Sequence, residues 1–87
     1  YLPGKFGIRL ENSVIVVDAF EGEAGDAFLG FETLSLAPFD RQLIDAALLS
    51  APERAWVNEY HARVLALVEP RISHDDAAWL DMAARPL

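Results

Sequence analysis

The spacing of apolar positions changes once along the chain, near Pro38. Ahead of it, Phe6-Gly7-Ile8-Arg9-Leu10-Glu11 alternates apolar with other residues, and Val14-Ile15-Val16-Val17 is a continuous β-branched run. Alternation with period two and β-branched runs both predict strands. A run without polar alternation suits a strand covered on both faces, so the Val14 to Val17 stretch reads as deeply covered. Glu21-Gly22-Glu23-Ala24-Gly25-Asp26 is rich in turn formers and charge and predicts an exposed loop. Phe28 to Leu36 predicts a second strand, with Phe31, Thr33 and Ser35 on one face and Glu32, Leu34 and Leu36 on the other. A long hairpin is the simplest connection.

After Pro38 the pattern becomes helical. Asp40 to Asp45 reads as a short helical turn leading into Ala46-Ala47-Leu48-Leu49. Ser50-Ala51-Pro52-Glu53 has the form of a capping box, in which Ser50 accepts from a free amide and Glu53 reaches back. Proline is harmless at the second helical position, where the amide has no partner within the helix. Trp56, Tyr60, Val64 and Leu67 then recur at helical spacing until Pro70. Asp75-Asp76 opens a last short helix through Trp79, Leu80 and Met82, which Pro86 stops. Strands followed by helices predict an α+β fold, an N-terminal β-hairpin with a helical C-terminal part. There is no internal repeat and no low-complexity tract.

Eighty-seven residues make one domain at most. With no cysteine, disulfide frameworks, thiolate zinc sites and thiol catalysis are excluded together. Fourteen acidic against seven basic residues give a net charge of −7, which argues against nucleic acid or anionic lipid as a partner. No apolar run approaches the length of a membrane span and none reads as a signal peptide. The chain opens on Tyr1 rather than on methionine.

Arg9 and Glu11 are the pair with the strongest case for chemistry. Two residues apart on a strand, they project from the same face. A carboxylate on a covered strand needs a partner, because burying it alone costs several kcal/mol. A metal ion or Arg9 itself would serve, and an Arg/Glu ion pair on a wet face is the plainer alternative. His61 and His74 fit no paired-histidine metal spacing. Helix packing suits His61, and a capping or exposed role suits His74. Asp75-Asp76 complements a helix dipole. Trp56, Tyr60 and Trp79 read as packing residues before they read as a binding surface. Glu21, Glu23 and Asp26 lack the alternation of a calcium loop.

Gly4-Lys5-Phe6-Gly7-Ile8-Arg9-Leu10-Glu11-Asn12 resembles the stretch that follows the Glu-Pro-Gly-Tyr-Tyr motif in the aminopeptidase P (Xaa-Pro aminopeptidase) family of pita-bread metallopeptidases. Tyr1 matches the second tyrosine of that motif. The resemblance continues through Phe28-Leu29-Gly30-Phe31-Glu32-Thr33-Leu34, Ala37-Pro38-Phe39-Asp40-Arg41, Leu43-Ile44-Asp45, Trp56, Tyr60-His61 and the closing Arg85-Pro86-Leu87. This is the pattern of the C-terminal extension of the long, three-domain forms. Ala46 departs from it, since the family often has proline after Ile-Asp.

The resemblance implies that residues 1–39 are the final strands of the catalytic domain and 40–87 a helical C-terminal extension. In that family two aspartates, one histidine and two glutamates hold two divalent metals. Glu11 matches the glutamate that bridges both, with Leu10 in place of isoleucine. Arg9 matches the arginine that supports the site without being a ligand. The other ligands are expected upstream of Tyr1. Paired metals activate a bridging water and polarise the scissile carbonyl, here of a peptide with proline second. Manganese is the expected metal and zinc is possible, since oxygen and histidine donors do not decide between them. The resemblance further implies a cytoplasmic enzyme, a homodimer or larger assembly, no tightly bound metal on this chain alone and no activity by itself. The alternative is a non-catalytic scaffold or interaction module.

Overall fold

A computed structural model describes residues 1–87, which divide into two compact units, Tyr1–Ser35 and Leu36–Leu87. In the first unit, β1 (Val14–Glu21) and β2 (Ala27–Thr33) form an antiparallel two-stranded sheet. Val14 pairs with Thr33 and Asp18 with Leu29, after which the register shifts and Phe20 pairs with Phe28. The extra residue in β1 is Ala19, a β-bulge. Its effect is specific: in the unbroken register Phe20 would face Ala27, whereas here the two phenylalanine rings stack with centroids 4.8 Å apart. The loop between the strands closes through Gly22 donating to the Asp26 carbonyl at 2.7 Å.

Two expectations for this unit change. Residues Ile8 to Ser13 carry no ladder, although Phe6 to Glu11 alternates as a strand should. A strand needs a neighbour for its backbone groups, and β1 has only β2 beside it. The β-branched run is also half-exposed rather than covered, with Val16 at 55% and its cross-strand partner Phe31 at 76% exposure.

In the second unit the segment Asp40 to Leu49 forms two separate 3₁₀ turns, Arg41–Leu43 and Ala46–Leu48, rather than one turn running into a helix. Each has its own aspartate cap. Asp40 accepts from the Gln42 amide at 2.9 Å and Asp45 from the Ala47 amide at 3.0 Å. Such local side-chain bonds compete with helix continuation. The capping box forms as the sequence predicts: Ser50 Oγ accepts from the Glu53 amide, and Glu53 accepts from the Ser50 amide at 2.8 Å. Those bonds to Ser50 hold the Glu53 carboxyl below its ordinary pKa. Helix α1 (Ala51–Val68) follows, then a turn at Glu69–Arg71 and helix α2 (His74–Ala83), capped by Ser73.

The buried face of α1 is Val57, Tyr60, His61 and Val64. Trp56 and Leu67, placed on the apolar stripe by spacing, lie at its exposed margins. Tyr60, Val64 and Leu80 form the core, packed by Leu36, Phe39, Leu65, Val68 and Ile72. Arg41 donates to the carbonyls of Met82, Arg85 and Pro86, and the Leu87 amide donates to Asn58, so the C-terminal turn is tied down. No helix is long and apolar enough to cross a membrane.

Two substitutions test this account. Ser50→Ala should destabilise the helical unit by about 1 kcal/mol through loss of the cap. Leu80→Ala should cost roughly 2–5 kcal/mol, because a cavity opens against Val64 and Tyr60. Urea unfolding checks both, with the midpoint moving and the slope unchanged.

Candidate functional site

The alternation of Gly7, Arg9 and Glu11 survives in extended backbone without a partner strand. Arg9 Nη1 lies 3.3 Å from Glu11 Oε1, with the two side chains 61% and 65% exposed. This is longer than the 2.7–2.9 Å typical of charge-assisted bonds, and an exposed pair of this kind contributes about 0–1 kcal/mol. The Arg9 guanidinium also lies over the Tyr1 ring, 5.0 Å from its centroid. The arginine thus touches an aromatic face and a carboxylate at once.

Chemically the arrangement offers one hard oxygen donor. One Glu11 oxygen faces Arg9 and the other makes no hydrogen bond. Nowhere in the chain do three His, Cys, Asp or Glu side chains converge as a metal-binding group. Glu11 therefore fits a divalent cation as one ligand among others that this chain does not carry.

The other residues with a chemical case are dispersed. His74 is exposed in the first turn of α2 beside Asp75 and Asp76, and Asp76 accepts from Ser73 Oγ at 2.7 Å. Glu21, Glu23 and Asp26 are exposed at the hairpin end. Trp56 stacks on Tyr60 with centroids 5.5 Å apart, and Phe39 packs 4.9 Å from Tyr60. Tyr60 donates its hydroxyl to the Ala37 carbonyl at 2.6 Å. A depression of about 530 Å³ is lined by Pro38, Phe39, Arg41, Trp79, Met82 and Ala83. Its charged group, Arg41, is already spent on the carbonyls of the C-terminal turn.

His61 has no solvent exposure, and its Nε2 accepts from the Phe39 amide at 3.0 Å. The neutral ring must then carry its proton on Nδ1, which has no protein partner. Burial, and then the positive charge of Arg41, push its pKa below the ordinary histidine value. Protonation would also turn Nε2 into a donor facing a donor. Spacing predicts helix packing for this residue but carries no sign of the Phe39 contact. Pro3-Gly4, an unambiguous turn signal, was the available clue to the folding back of Tyr1.

The histidine gives a pH dependence whose sign is fixed. Its pKa is lower folded than unfolded, so its contribution to stability is complete above about 6.5. It falls as the pH drops below that value toward the folded pKa. The Phe39 amide should lose hydrogen-exchange protection, corrected for intrinsic rates, over that window. In His61→Gln, which keeps an acceptor but does not titrate, the pH dependence should disappear.

Comparison with known proteins places the geometry in context. Residues 27–87 match the family model for the C-terminal region of peptidase M24. All of the chain aligns with the protein named "Probable Xaa-Pro aminopeptidase P" of Arthroderma benhamiae at 46% identity, covering 13% of that protein. The protein of the same name in Coprinopsis cinerea is 42% identical over all of the chain and 15% of its own length. Among solved structures, an X-prolyl aminopeptidase from Caenorhabditis elegans, described as a cytosolic enzyme with a di-nuclear active site, superposes with a TM-score of 0.78. The match is 36% identical and covers 100% of this chain and 15% of that one. The chain thus spans about one seventh of the length of the relatives it matches.

Proposed function

We propose that this chain, which belongs to the family of C-terminal regions of M24 peptidases, supplies the C-terminal part of an aminopeptidase that hydrolyses the bond between an N-terminal residue and a following proline. The observation that carries the reading is alignment of the whole chain, not of one motif, with Xaa-Pro aminopeptidases at up to 46% identity. In this reading Glu11 is a ligand shared by two divalent metals and Arg9 holds its carboxylate in place. When bound, the metals would polarise the peptide carbonyl and activate water. Manganese is the first candidate and zinc the second. The cytosolic description of the nematode enzyme supports a cytoplasmic location.

The division of labour follows from chemistry. Residues 1–39 end the catalytic domain and present Glu11, whose hard oxygens suit such cations. Residues 40–87 form a helical extension with no metal-binding cluster of its own. One carboxylate cannot replace a full set of ligands, so the isolated chain should neither hydrolyse an Arg-Pro-Pro peptide nor take up two manganese ions in calorimetry.

In the full-length protein, Glu11→Ala should reduce turnover to background and lower the metal content with it. Arg9→Ala should reduce activity by about 10- to 100-fold, the usual cost of removing a ligand's supporting group. Metal analysis beside steady-state kinetics checks both. Near-normal rate and metal content in Glu11→Ala would refute the role assigned to that residue.

The hairpin supports a further part of the reading, an assembly surface. Val16 and Phe31 face the same way, half-exposed or more, beside strand edges with unpaired backbone groups. Such edges pair readily with a second copy, most often through a twofold axis. The isolated chain is therefore expected to be a dimer or larger in light scattering. A single 9.6 kDa species at high micromolar concentration, with a cooperative melt, would oppose this.

A further inference from the structure

The backbone around Arg9 is shaped by a turn that brings Tyr1 back onto it. The Lys5 amide donates to the Leu2 carbonyl at 3.0 Å, and the Leu2 amide to the Phe6 carbonyl at 2.8 Å. Pro3 and Gly4 occupy the two central positions, and Gly4 has φ +72°, the left-handed value that a type II turn requires at its second central residue. The bridge between Leu2 and Phe6 is antiparallel, so Tyr1 falls opposite Gly7. The ring takes up the space a side chain at Gly7 would need: a Cβ there would lie 2.5 and 2.6 Å from Tyr1 Cδ1 and Cε1. Arg9 is two residues beyond Gly7 and shares its face, and its guanidinium rests 5.0 Å from the same ring's centroid. From there Arg9 reaches Glu11 at 3.3 Å.

We infer that Tyr1, seated on the bare backbone of Gly7, is the positioning residue for Arg9 and through it for the Glu11 carboxylate. An exposed arginine has many rotamers of similar energy, and a single long contact to Glu11 does not select among them. An aromatic face below the guanidinium does, because a cation within about 6 Å of a ring centroid is attracted to it and the planar group lies flat. Glycine at position 7 lets the ring approach, and Pro3-Gly4 sets the angle of return. The tyrosine touches neither substrate nor metal. Its function is to narrow the positions from which Arg9 meets the carboxylate, and so to lower the reorganisation that metal binding requires. The inference rests on the reading of Glu11 as a metal ligand.

The experiment uses the full-length protein stripped of metal and titrated with Mn²⁺ alone by calorimetry, with peptide kinetics and thermal melts alongside. Tyr1→Leu and Gly7→Ala should each weaken Mn²⁺ binding by roughly 10-fold, the lower end of the effect of groups behind a metal ligand. KM for the peptide and the melting temperature should be unchanged. Tyr1→Phe, which keeps the ring, should bind Mn²⁺ like the parent. If the two residues act through one contact, Gly7→Ala should cost nothing more in the Tyr1→Leu background. Parent-like Mn²⁺ binding by Tyr1→Leu, while Glu11→Ala loses the metal, overturns the positioning role and leaves the ligand reading intact. A Tyr1→Phe protein as impaired as Tyr1→Leu overturns it as well, since the hydroxyl rather than the ring would then matter. Full metal retention by Glu11→Ala overturns the ligand reading, and this inference with it.

Discussion

Phe39 donates its backbone N–H to a histidine ring that solvent does not reach, and a peptide group held this way has little freedom to turn. Two residues earlier, the Ala37 carbonyl accepts from Tyr60, the neighbour of that histidine on α1. A donor and an acceptor on consecutive helical residues thus fix three residues of irregular chain. The consequences run outward from that grip. Phe39 is delivered against Tyr60 and within 6.3 Å of Trp56. Asp40 then begins its turn at a defined place, and Arg41 emerges where it can collect three carbonyls from the end of α2 and the tail beyond. In a unit with so small a core, these polar contacts specify an arrangement that apolar packing alone would leave loose.

The parts legible in the sequence are those with local causes. Ser50 and Glu53 announce the start of α1 because a capping box is satisfied within four residues. The β-branched run at Val14 and the charged loop after Glu21 define the hairpin for the same reason. The phase of α1 was less legible, because spacing ranks Trp56 and Leu67 with Tyr60 and Val64. What selects Val57 and His61 instead is the arrival of Phe39 and Leu36 from outside the helix. The split of Asp40 to Leu49 into two turns depends on Asp45 bonding the Ala47 amide, a choice that helical periodicity cannot register. The bulge at Ala19 is likewise silent in the pattern, although its product, the Phe20/Phe28 stack, is decisive for register.

The hairpin makes a different point about reading burial from composition. Val14, Ile15 and Val16 form the run expected of a covered strand, yet all three are about half exposed. Neither observation is anomalous. A two-stranded sheet has no second layer of its own, and an isolated hairpin is marginal in water. The run records the surroundings for which the strand is suited, and the exposure records how much of them these residues supply. The same separation applies to Phe6 to Glu11, where side-chain alternation is present and the hydrogen-bonded neighbour is not. Sequence specifies which face of a segment is apolar; a ladder additionally requires a partner backbone.

That distinction bears on the Arg9 and Glu11 pair. If Arg9 gripped both Glu11 oxygens at the short distances of a forked bond, the carboxylate would be committed, and a cation would have to displace a strong partner. The observed contact is single and 3.3 Å long, and it leaves the second oxygen without a hydrogen bond. An arginine placed in this way favours the ionised carboxylate while obstructing little of its ligating capacity. Arg9 in turn has a second source of attraction in the Tyr1 ring, so its own placement does not depend on Glu11 alone. For the role proposed for Glu11, this is the useful balance: the carboxylate is held close to an orientation, and its exchange of one cationic neighbour for another costs little.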